Sequence, residues 1–107
     1  MEIADLVAQE RTIPVKYAGN EFNITYRVGE IVPTFWDWYD AARETDYNHR
    51  LAILAERLIV KWDLVDQGVM VPTDRKTVAA KVPWPVLNEI KSAIFQDTFS
   101  GNASASS

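Results

Sequence analysis

The sequence predicts an α+β fold: a short leading helix and a β-hairpin packed against three to four α-helices in one small domain. Three observations predict it. Apolar and polar residues alternate with a period of two between Ile13 and Val28, apolar residues recur every three or four positions between Tyr47 and Trp62, and glycine or proline stands at most of the boundaries. A chain of 107 residues suits a single core, because two independent cores of this size would be starved of interior.

The elements follow in order. Ile3, Leu6 and Val7 lie one helical turn apart and predict a short amphipathic helix ending near Arg11. Ile13, Val15 and Tyr17, then Phe22, Ile24, Tyr26 and Val28, predict two half-buried strands joined through Ala18-Gly19-Asn20-Glu21 as an antiparallel hairpin. Pro14 has no N–H to give a neighbour, so its strand belongs at an edge. Pro33 and Thr34 open a helix expected to reach about Arg43, with Asp37 near its positive end.

Tyr47, Leu51, Leu54, Leu58 and Trp62 form one stripe and predict a single longer helix. Val65 to Pro72 lacks a helical period and reads as a turn or short extended excursion. Thr73 or Asp74 caps a brief helix to about Ala80, and Pro85 starts a last helix bearing Leu87, Ile90, Ile94 and Phe95, expected to end near Thr98. Residues 1–99 are thus expected to form the domain and the Ser/Ala-rich residues 100–107 a flexible tail.

Composition narrows the function classes. Hydrophobic residues make up 48% and charged residues 24%, a globular balance. The net charge of −4, with no run of Lys or Arg, argues against a nucleic-acid partner. The absence of cysteine removes disulfides and thiolate metal sites, and no apolar run approaches the ~20 residues of a membrane span. A cytoplasmic location is the expectation, with no nucleic acid or membrane as partner.

Nothing in the sequence assembles a catalytic grouping. His49, the single histidine, follows Asp46 by three positions, but no cysteine or Gly-x-Ser-x-Gly turn supplies a nucleophile. Asp63, Asp66 and Asp74 surround a glycine turn without the alternating ligands and twelfth-position Glu of a calcium loop. The four glycines stand singly and cradle no phosphate. The expectation is a binding protein with no catalytic residue, no metal and no cofactor.

The aromatic run Phe35-Trp36-Asp37-Trp38-Tyr39 is the strongest local feature. Each residue advances a helix by about 100°, so four rings in five positions are expected to spread around it and leave one or two exposed, Trp36 and Trp38 first. The other outcome is that hairpin and long helix cover both sides and every ring is structural. The partner-binding candidates are Phe35, Trp36, Trp38 and Tyr39, with Met70 and Trp84 as additions.

One resemblance adds to this reading. Leu58-Ile59-Val60-Lys61-Trp62-Asp63-Leu64, then Val71-Pro72-Thr73, then Val82-Pro83-Trp84-Pro85-Val86-Leu87, together with Ala4-Asp5-Leu6-Val7 and Thr25-Tyr26-Arg27, resembles the tail assembly chaperones of long, non-contractile-tailed bacteriophages. The likeness covers most of residues 2 to 96 and rests on short motifs; the aromatic run and the Pro-flanked Trp84 lie outside its pattern. It implies a protein of the host cell cytoplasm, absent from the finished virion. Such a protein coats the tape measure protein, helps recruit tail tube subunits and assembles as a homo-oligomer. The rival expectation is a virion structural protein of the head-tail joining or tail terminator type.

Overall fold

The computed structural model describes residues 2–3, 9–45 and 47–106, with side chains described as far as Phe99. The chain runs through β1 (Glu10–Tyr17), β2 (Asn20–Arg27), a 3-10 turn (Val28–Glu30), α1 (Pro33–Thr45), α2 (Arg50–Leu58) and β3 (Ile59–Trp62). It continues through β4 (Val65–Asp66), β5 (Val69–Met70), α3 (Arg75–Lys81) and α4 (Trp84–Ser106). Strands β1, β2 and β3 form one antiparallel sheet in that order, and β4 and β5 pair as a separate ribbon. Among the described residues the domain is therefore α+β, with four helices and two small antiparallel sheets.

That architecture corrects the expected one, in which a lone hairpin lay on the helices. The apolar stripe from Tyr47 to Trp62 is not one helix. Tyr47 sits exposed in the turn before α2, and the helix stops at Leu58, where Ile59 turns to extended backbone (φ −81°, ψ 125°). Ile59 and Val60 are β-branched and fit a pleated surface, and the strand they begin pairs Ile59 with Tyr26, Lys61 with Thr25 and Trp62 with Ile24. A bulge between Thr25 and Tyr26 absorbs the register shift. The four-residue spacing from Leu58 to Trp62 misled because both side chains are buried, one from a helix and the other from a strand.

Two further boundaries move. Glu10 and Arg11, the expected end of the leading helix, are strand, and most of that helix lies outside the described residues. The last helix continues past Thr98 to Ser106.

β1 and β2 meet through the two-residue loop Ala18-Gly19, whose φ angles of 52° and 80° give the left-handed turn that matches strand twist. Gln67 and Gly68, at 53° and 80°, close the ribbon in the same way. In the sheet, Ile13, Val15, Ile24 and Tyr26 face the core, and the edge strand β1 accommodates Pro14. Ala52, Leu54, Ala55 and Leu58 fill the inner face of α2; full burial of one leucine is worth about 2 kcal/mol. Leu87, Ile90 and Ile94 line the buried face of α4, which packs along β1.

Polar groups lock these layers together. Trp62 Nε1 donates 2.7 Å to the carbonyl of Val71, fixing the segment after the ribbon against β3. Asp74 caps α3, accepting from both the amide and the hydroxyl of Thr77 at 3.0 Å, and these bonds hold its carboxyl below the usual carboxylate range.

Candidate functional site

The aromatic run shows how a helix can carry four rings without exposing them all. Phe35 and Tyr39 point into the core at 1% and 6% exposure. At about 100° per residue, Trp36 and Trp38 fall on the two flanks of that face, so the four rings span an arc of roughly 160° and the outward direction goes to Asp37, Asp40 and Ala41. Trp36 and Trp38 are accordingly half-buried and packed on the core. The structure places Phe35 and Tyr39 in the core and not on the exposed face expected of them, with Tyr39 also at the wall of a cavity beside Trp84.

The rings that do reach the surface come from other elements. Trp84, in the first turn of α4, is 50% exposed, and its ring meets Tyr47 edge to face at 5.9 Å. Its indole N–H donates 3.3 Å to the carbonyl of Asn48, which sets the ring's direction. Along the same helix, Phe95 and Phe99 are exposed, stack at 4.7 Å, and join α1 where Phe95 meets Trp36 at 5.1 Å. Met70, 43% exposed, lies on the ribbon beside Val65 and Val69, which are also exposed.

Helical geometry explains why the α4 rings line up. Trp84, Asn88, Lys91, Phe95 and Phe99 are four, seven, eleven and fifteen positions along one stripe, adjacent to the buried stripe of Leu87, Ile90 and Ile94. α4 therefore carries one apolar face for its own core and a second stripe toward solvent, with Trp84 at one end, Phe95 and Phe99 at the other and Asn88 and Lys91 between them. Tyr47 and Phe95 escaped the sequence reading because each fitted a helical core stripe, and Phe99 because the last helix was expected to end near Thr98. The doubled stripe of α4 is the signal that distinguishes them.

Between the end of α1 and the starts of α2 and α4 lies a cavity of about 300 Å³ lined by Tyr39, Tyr47, Arg50, Leu51, Trp84, Pro85 and Asn88. The guanidinium of Arg50 sits 4.4 Å above the ring of Tyr39. The hydroxyl of Tyr39 is buried without a hydrogen-bond partner among the described residues, and burial pushes its phenol up from the ordinary value. Such a cavity offers rings, an aliphatic wall and one fixed cation, which suits a docked side chain.

The three aspartates around the glycine turn all have structural partners. Asp63 accepts from the amide of Asn23 at 2.9 Å, Asp66 pairs with Lys81 at 2.7 Å and Asp74 caps α3. His49 is exposed just before α2, its carbonyl accepting from Ile53. Among the described residues no three His, Cys, Asp or Glu side chains are grouped to hold a metal ion, and no helix is long and apolar enough to cross a membrane.

Compared with models of protein families, with curated proteins and with solved structures, the chain matches none. The functional reading therefore rests on this surface and on the motifs of the sequence.

Proposed function

We propose that this protein is a phage tail assembly chaperone that holds the tape measure protein in solution and helps bring tail tube subunits to it. The observation that carries the holding role is the set of solvent-exposed rings on α4, Trp84 at its start and Phe95 and Phe99 farther along, extended by Tyr47 beside Trp84. The Leu58–Leu64 and Val82–Leu87 motifs supply the likeness to this class of chaperone.

A long helical client exposes apolar stripes until the tail tube encloses it, and an aromatic face of matching shape covers them reversibly. Several copies along one client gain avidity while each remains displaceable. On this reading the chain oligomerises on its client, works in the host cytoplasm and leaves before the virion is finished.

Co-expression tests it. A tape measure fragment that precipitates alone stays soluble with this protein and is lost to the pellet with the Trp84→Ala/Phe95→Ala variant. Equal solubility with and without the protein defeats the reading, as does a stoichiometric amount of the chain in purified virions by mass spectrometry.

A further inference from the structure

We propose that the seam between α1 and α2 recognises an acidic amphipathic helix, with Arg50 and Arg57 taking two of its carboxylates while one apolar side chain enters the cavity beside Trp84. This rests on the holding role above and names the chemistry of its client.

Both arginines sit over rings. Arg50 is 4.4 Å above Tyr39 and 5.9 Å from Tyr47, and Arg57 is 4.8 Å from Phe35 and 4.9 Å from Trp38. A guanidinium held over a ring still has N–H groups to offer an acceptor, and a carboxylate is an acceptor it can bind bidentately. Neither arginine forms an ion pair among the described residues, unlike Arg11, which pairs with Asp97, and Lys81, which pairs with Asp66. Arg50 makes one long bond, 3.4 Å, to the carbonyl of Tyr39.

The arrangement extends beyond one cation. Arg27 bonds the carbonyls of Arg57 at 3.1 Å and Ile59 at 3.4 Å, bringing a third guanidinium to the same end of α2. Acidic residues share the neighbourhood, since Asp37 and Asp40 stand exposed on α1 and Asp40 lies close enough to act on Tyr39, so the contact is made by individual guanidiniums and not by a basic patch. The hydroxyl of Tyr39, a cavity-lining residue, is buried without a hydrogen-bond partner among the described residues.

Spacing suits a helical partner. Arg50 and Arg57 are seven residues apart on α2, two turns or roughly 10.5 Å. A helix laid along the seam presents side chains at i and i+7 with the same separation, and its apolar face then meets the cavity and Trp84.

The test uses the full chain and labelled synthetic helices with one leucine-rich face. They carry two Glu seven positions apart, or Gln or Lys at those positions, and fluorescence anisotropy reads binding. The Glu helix is expected to bind about tenfold or more tightly than the Gln helix, with the Lys helix weaker still. Arg50→Gln and Arg57→Gln are each expected to erase the Glu preference, whereas Arg50→Lys restores it in part. Equal binding of the Glu and Gln helices to wild-type protein overturns the inference without relying on any variant's folding. So does an oligonucleotide binding as tightly as the Glu helix.

The two readings fail separately. If Trp84→Ala loses the tape measure fragment while Arg50→Gln/Arg57→Gln retains it, acidic-helix recognition fails and holding stands. If wild-type protein leaves the fragment insoluble yet prefers the Glu helix, the holding reading fails alone.

Discussion

Tyr26 on the central strand donates a 2.6 Å hydrogen bond to Oδ2 of Asp97, 71 positions later on α4, while Arg11 on the edge strand holds Oδ1 at 3.0 Å. One carboxylate thus ties two strands to the last helix.

This relationship makes stability sensitive to alkali. Burial first, then the bond to Asp97, pushes the Tyr26 phenol from 10.0 up to about 12. The folded state therefore keeps a proton that the unfolded chain releases earlier. Its stabilising effect is complete below pH 10.0 and is lost as pH rises from there through about 12. Tyr39, raised chiefly by burial, acts in the same direction. Urea midpoints should fall over this window, and Tyr26→Phe should flatten the fall. An identical slope in Tyr26→Phe would place the proton linkage elsewhere.

The buried bond from Trp62 Nε1 to the Val71 carbonyl gives a second expectation. Trp62→Phe keeps a ring but orphans the carbonyl and leaves unfilled space, costing about 1–3 kcal/mol in denaturant unfolding. A loss under about 0.5 kcal/mol would mean that water or a shifted side chain takes over the carbonyl.

Turn geometry predicts gains as well as losses. Ala18 holds φ 52° at a position that asparagine tolerates better, so Ala18→Asn should stabilise by about 0.5–1 kcal/mol. Gly68→Ala should destabilise by about 1 kcal/mol through the backbone alone, since an added Cβ meets nothing within 4 Å. Thermal unfolding of the two variants should move in opposite directions.

Packing and binding should separate within the aromatic set. Phe35→Ala removes a core ring and should cost about 3–5 kcal/mol of stability. Trp84→Ala should change stability by about 1 kcal/mol or less yet release the client into the pellet. A Trp84→Ala variant that holds the client as well as wild type would remove this ring from the surface that matters.

Sequence pattern made some of this legible. The two strands of the first hairpin follow from strict alternation, and the Asp74 cap and the start of the last helix follow from local chemistry at Asp74 and Pro85. Such features are decided by neighbours in the chain. The β3 strand was hidden because Leu58 and Trp62 satisfy a helical spacing, and only pairing with Ile24 and Tyr26 favours extended backbone there.

The surface divides in the same way. The sequence by itself determined that Phe35, Trp36, Trp38 and Tyr39 lie on adjoining faces of one helix, because the angular step per residue is a property of the backbone. Only the tertiary structure decided which rings stay in water. The core closes over Phe35 and Tyr39, α4 meets Trp36 through Phe95, Arg57 lies over Trp38, and Trp84, Phe95 and Phe99 remain outside. Exposure is fixed by what packs opposite a side chain, and that partner comes from a distant part of the chain.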